Sequence, residues 1–182
     1  NVKAFEIPIY DTVAEMYEAT FTDFTVRSKE WNWIINQINI SGHNNSVLEI
    51  GCGNGAMINH LAPFVKSAVG IDISPRLLEY ARKRNAKYTH VQFIETSSSQ
   101  IPIQNHSFDV IISVLSWRYL DWYTTMQEVR RLLKPGGKLL LIDMCRHKIK
   151  PGQFLNLAKE KIQLIYDAIK NPAHHKNLRS MV

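Results

Sequence analysis

Cysteine is nearly absent from this chain of 182 residues, which has only Cys52 and Cys145. One lies inside a glycine run and the other follows an apolar run, and the two share no metal-ligand or redox spacing. That excludes a spaced-cysteine metal site and implies two reduced thiols. Long apolar runs are missing as well: none approaches the roughly 18 residues needed to cross a bilayer. Asn1 to Phe5 lacks the basic-then-apolar layout of a secretory leader. The expectation is a soluble, cytoplasmic protein with no membrane partner. Excess charge is missing from most of the chain. Residues 1–143 carry 14 Lys plus Arg against 14 Asp plus Glu, whereas residues 144–182 carry 8 against 2, so the whole net charge of +6 sits in the tail. A neutral body with a basic tail, and no aromatic-plus-arginine module beside it, does not make nucleic acid the expected partner.

What is present is enough apolar content, 45%, for one sizeable core in a chain short for two. The breakers divide the rest. Asp11–Thr20 and Lys29–Ile40 have helical spacing, the second with Trp31, Ile34, Ile35 and Ile38 on one side, and SGHNN at 41–45 is a polar loop. Residues 1–45 thus form an N-terminal helical cap segment. Short runs rich in Val, Ile and Leu follow at 47–50, 68–73, 91–94, 109–115 and 138–143, with helical segments at 56–64, 75–85 and 121–133 between them. Near-continuous apolar strands alternating with helices predict an α/β fold, a doubly wound and mostly parallel sheet covered on both faces.

The first strand runs straight into GCGNG, residues 51–55, behind the lone carboxylate Glu49. Glycine there lets the backbone adopt positive φ and lets a ligand lie against the main chain, so the loop is a candidate ligand site. Gly51, Gly53 and Ala56 also satisfy the G-x-G-x-x-A pattern of a nicotinamide dinucleotide fingerprint, and the loop alone leaves two ligands open. GIDISP, residues 70–75, is read as a buried strand that emits Asp72 at its carboxyl end, with Ser74 as N-cap and Pro75 at the first helical position. An acid so placed can accept both hydroxyls of a ribose, which points to an adenosine-type ligand without naming it.

Two further stretches, IPIQNHSFDVIISV at 101–114 and RLLKPGGKLLLID at 131–143, stand in order behind EIGCGNG and GIDIS. Together the four motifs resemble class I S-adenosylmethionine-dependent methyltransferases, most closely the type 11 subgroup that acts on small molecules, over roughly residues 46–145. The resemblance implies S-adenosylmethionine as cofactor and a small-molecule methyl acceptor. It sets Glu49, Gly51, Cys52 and Gly53 against the methionine part of the cofactor, Asp72 on the ribose and Ile73 on one adenine face. A family aspartate that commonly accepts from the adenine amino group falls at Ser97, a departure that exchanges a charged acceptor for a neutral one of roughly half the strength. Ser98 offers a backbone N–H to the ring, and Ser113, Val114 and Leu115 border cofactor and substrate. Three alternatives stay open: a tRNA-modifying member with the tail on RNA, a catalytically silent cofactor-binding scaffold, and a nicotinamide-dependent oxidoreductase.

On the acceptor side the resemblance marks Trp117, Arg118 and Tyr119, with Tyr10 and Tyr17 of the N-terminal segment closing over the cofactor. Arg118 either clamps an anionic group of the substrate or pairs with Asp121 three residues on. Trp117, Tyr119 and Trp122 are either an aromatic wall or helix packing, and His147 is either a base or a solvated tail residue. Because the methyl donor is already activated, no nucleophilic side chain and no metal are expected, and no catalytic residue is assigned. Residues 146–182 form a basic helical tail, with Phe154, Ala158, Ile162, Ile165 and Ile169 on one face of a helix from about 153 to 170. The family's last antiparallel strand pair is not found after Asp143. The 182 residues are therefore expected to be part of a longer protein.

Overall fold

The computed structural model describes residues 7–21, 23–38 and 44–144. The expected helix at 153–170, the strand pair sought after Asp143, His147 and Cys145 lie outside the described residues.

Two helices come first, α1 (Ile7–Thr20) and α2 (Ser28–Ile38), joined through a 3-10 turn at Phe24–Arg27. Five strands follow, β1 (Ser46–Ile50), β2 (Ser67–Asp72), β3 (Val91–Glu95), β4 (Phe108–Val114) and β5 (Leu133–Ile142), interleaved with α3 (Ala56–Leu61), α4 (Pro75–Arg84) and α5 (Trp122–Leu132). They form one sheet in the order β3-β2-β1-β4-β5, every pair parallel. This is the expected doubly wound architecture. Among the described residues no helix is long and apolar enough to cross a membrane.

The alternation of strand side chains builds a core on each face. Val47, Val110, Ile112 and Leu140 point to one face and meet Ile34 and Ile38 of α2 with Met57, Ile58 and Leu61 of α3. Leu48, Ile50, Ile71 and Ile111 point to the other and meet Ile101 with Val129 and Leu132 of α5. Each such buried side chain contributes about 1.5–3 kcal/mol relative to exposure. Since β1 lies between β2 and β4, its residues Val47, Leu48 and Ile50 are at most 1% exposed, which is why that strand is apolar apart from Ser46 and Glu49.

The start of α4 follows the expected chemistry. Ser74 accepts the Leu77 amide at 3.2 Å and Pro75 takes the first position of α4. Asp121 accepts the Tyr123 amide at 3.1 Å and is the N-cap of α5. The last strand differs from expectation, beginning at Leu133 instead of Lys138. Leu133 pairs with Phe108 and Lys138 with Val110, so Lys134–Gly137 bulge out of register, with Gly136 at φ +79°.

Candidate functional site

In this strand order the chain reverses direction of travel between β1 and β4, and the crevice above their carboxyl ends is where doubly wound sheets take ligands. The glycine loop sits there. Gly51, Gly53 and Gly55 all have positive φ, at +73°, +52° and +69°. The loop is tied to the next strand by its own backbone: the amides of Gly51 and Cys52 both donate to the Ile71 carbonyl, at 2.9 and 3.0 Å.

Asp72, at the end of β2, accepts the Gly53 amide at 2.8 Å on one oxygen and the Ser74 amide at 3.0 Å on the other. Glu49 is 3% exposed, and its Oε2 has no hydrogen-bond partner among the described residues. Burial, and secondarily the negative charge of Asp72, push its carboxyl well above the usual carboxylate range. Burial also pushes the Cys52 thiol up. Its sulfur points beneath the loop, within 2.8 Å of where a Cβ on Gly70 would stand, so Cys52 offers the crevice its backbone only.

The other expected residues divide into those brought to the crevice and those turned to internal tasks. Ile73 is half-buried beside Asp72. In the loop after β3, Ser97 bonds Ser99 at 2.9 Å, and Ser98 bonds Thr125 of α5 at 2.7 Å, which fastens that loop to the helix. Ser113 is fully buried. Its hydroxyl donates to the Ile50 carbonyl at 3.1 Å and meets the Ser116 hydroxyl at 2.7 Å, joining β1 to β4. Val114 is half-buried at the end of β4, and Leu115 holds φ +57°, a costly conformation for a non-glycine residue and one found at sites where the surroundings enforce it.

Arg118 calls for a correction. Its expected partner Asp121 caps α5 instead, and the guanidinium pairs with Asp143 at 3.3 Å, donates to the Leu115 carbonyl at 3.0 Å and lies 5.0 Å from the Tyr119 ring centroid. The Arg118 amide also donates to Asp143, at 3.1 Å. The cause is topological: parallel β4 and β5 bring residues 25 positions apart to the same edge. Trp117 is 8% exposed inside the core and accepts the Trp122 indole N–H on its carbonyl at 2.9 Å, so both tryptophans pack on the fold and Tyr119, 57% exposed, is the aromatic left outside.

Tyr17 of α1 reaches the loop: a Cβ on Gly53 would stand 3.3 Å from its ring. The side chain of Tyr10 lies outside the described residues. Sequence reasoning missed Ser116, whose Oγ would be 2.4 Å from a Cβ on Gly51, and it missed Asn54 and Glu18, which join the loop to α1 at 2.8 Å. Ser116 had a signal in its place just past a strand at the switch point. Asn54 and Glu18, 36 residues apart, had none.

Fold and site together define a doubly wound nucleotide-binding domain. Residues 48–141 match the sequence model of the family described as "Methyltransferase domain", and the chain belongs to that family. It is 30% identical over 131 residues to phthiotriol/phenolphthiotriol dimycocerosates methyltransferase of Mycobacterium leprae, a match covering 70% of this chain and 47% of that protein. It is 33% identical over 98 residues to demethylmenaquinone methyltransferase of Tropheryma whipplei, covering 53% of this chain and 41% of that protein. The chain thus spans less than half the length of these two curated relatives. Among solved structures, N-methyltransferase NodS from Bradyrhizobium japonicum WM9 in complex with S-adenosylhomocysteine aligns with TM-score 0.61 and 26% identity, covering 72% of this chain and 71% of that one.

Proposed function

We propose that this domain binds S-adenosylmethionine in the crevice above β1 and β4 and transfers its methyl group to a small-molecule acceptor. The observation that carries the reading is the pair of carboxylates at the glycine loop, Asp72 on the Gly53 amide and Glu49 with a buried oxygen unpaired. A dinucleotide would bring its pyrophosphate to a loop flanked by two acids. A ligand bearing an ammonium and a sulfonium suits that charge and gives the Glu49 oxygen a donor.

In this reading Gly51, Cys52 and Gly53 present bare backbone to the methionine part, Glu49 receives its ammonium, and Asp72 faces the ribose hydroxyls. Ile73 lies on the adenine face, with Ser97 and Ser98 at its edge. Ser113 acts from behind, holding β4 to the loop, and Tyr17 closes the crevice from α1. Arg118 and Tyr119, just past the carboxyl end of β4, border the acceptor, with Trp117 as their support. The cofactor supplies an already activated methyl group. What remains for the chain is to hold the acceptor atom in line at about 3–3.5 Å and keep water out, tasks that need no nucleophilic side chain. We assign residues 46–145 to this cofactor domain, 1–45 to its helical cap and 146–182 to a basic tail.

The small-molecule acceptor draws support from the names of the curated relatives, a phthiotriol and a demethylmenaquinone methyltransferase. Incubation with methyl-labelled cofactor and a cell metabolite extract tests it. Label in a low-mass product is expected; label in RNA or protein overturns the acceptor class, and no label in any fraction overturns the enzyme.

A further inference from the structure

The three glycines at positive φ have no side chain to hold them there, since glycine visits both halves of φ space about equally. Something outside the loop must fix its shape. Beside the Asp72–Gly53 bond and the Asn85 amide on the Gly55 carbonyl, Asn54, between Gly53 and Gly55 and 2% exposed, is the point where α1 attaches. Its amide donates to Glu18 Oε2 at 2.8 Å and to the Phe21 carbonyl at 3.1 Å, both at the end of α1. Its own carbonyl accepts from Arg84 Nη1 of α4 at 2.6 Å. Glu18 Oε1 closes the circuit by accepting from Arg84 Nη2 at 2.5 Å. The two charged side chains are only 24% and 16% exposed, so solvent screens them weakly. One position before Glu18, Tyr17 lays its ring against Gly53.

We propose that Glu18 is a positioning residue for the cofactor site: it holds the glycine loop in its ligand-ready shape through Asn54 and Arg84, and holds Tyr17 over Gly53. The proposal rests on the reading of the loop as the cofactor cradle. Its consequence is that docking of α1 and binding of cofactor are coupled, each favouring the other by the same factor. Glu18→Gln is the suitable probe, because the amide keeps the shape while turning an N–H toward Arg84 or Asn54, where only an acceptor serves both.

Hydrogen exchange on the ligand-free protein separates this role from plain stabilisation. In Glu18→Gln the amides of Gly53, Gly55 and Ala56 should exchange about tenfold faster while those of Val110, Ile111 and Ile112 in β4 keep their rate, and S-adenosylhomocysteine should bind about tenfold more weakly in titration calorimetry. Loop amides that do not quicken overturn the proposal. Loop and β4 amides quickening together also overturn it, leaving Glu18 an ordinary stabilising ion pair. A quickened loop with unchanged affinity overturns the link to the site. Wild-type protein that binds no S-adenosylhomocysteine, with a loop that Glu18→Gln still loosens, refutes the cofactor reading and upholds the hold of Glu18 on the loop.

Discussion

Asp72 accepts the amide of Gly53 at 2.8 Å, so the acid at the end of β2 and the middle glycine of the loop after β1 form one unit. The same carboxylate accepts the amide of Ser74, the residue that starts α4. A side chain so engaged is fixed before any ligand arrives.

Replacing Asp72 by Ala removes that fixed acceptor and frees the Gly53 amide. Affinity for S-adenosylhomocysteine should fall by about 1.5–3 kcal/mol, the usual worth of hydrogen bonds to a charged group. Titration calorimetry on the two proteins checks it, and unchanged affinity would remove Asp72 from the site.

Glu49 should trade stability for binding. Its folded pKa is raised by burial, then by Asp72, so the group's contribution is fully present below its unfolded pKa of about 4.3 and is lost as pH rises from there through the folded value. Glu49→Gln should therefore melt higher than wild type at pH 7 without ligand, with the advantage shrinking as pH approaches 4, while S-adenosylhomocysteine binds it more weakly. Melting curves across that range, paired with calorimetry, decide the matter; a variant less stable at pH 7 would contradict the account.

Arg118 and Asp143 should be energetically coupled, whereas Arg118 and Asp121 should not. A double-mutant cycle with Arg118→Lys and Asp143→Asn is expected to give about 0.5–1 kcal/mol for this partly exposed pair at 3.3 Å, and a cycle with Asp121→Asn close to zero. Asp121→Asn alone should cost little, since asparagine caps helices as well as aspartate does.

Two glycines at positive φ should respond differently to alanine. A Cβ on Gly136, φ +79°, meets nothing within 4 Å, so Gly136→Ala should cost only backbone strain, about 1–2 kcal/mol. On Gly55, φ +69°, it would stand 2.8 Å from the Ala81 Cβ and 3.1 Å from the Ala81 Cα, and Gly55→Ala should cost about 2–4 kcal/mol. Urea midpoints rank the pair.

What could be read from the sequence was what local chemistry decides. The apolar run at 47–50, the Ser74–Pro75 start of α4 and the strand-ending Asp72 each carry their reason within a few residues, and the structure places the elements there. Contacts made by topology were not legible. Asp143 meets Arg118 because β4 and β5 are parallel neighbours, while the nearer Asp121 is taken by two helix amides. The resemblance set Ser113 beside cofactor and substrate, and the structure turns its hydroxyl onto the Ile50 carbonyl. Glu18 and Asn54 meet only because α1 folds back along α4.

A loop of three glycines with Asp72 and Glu49 that accepts S-adenosylmethionine in preference to a nicotinamide dinucleotide should tell the two ligands apart in binding. The most direct measurement is the melting temperature of the protein with S-adenosylhomocysteine and, separately, with NAD. A ligand at a hundredfold excess over its Kd adds about 2.7 kcal/mol, or about 5–10 °C for a chain of this size. That rise is expected with S-adenosylhomocysteine and none with NAD; an equal rise with both, or a rise with NAD alone, would rule out the preference.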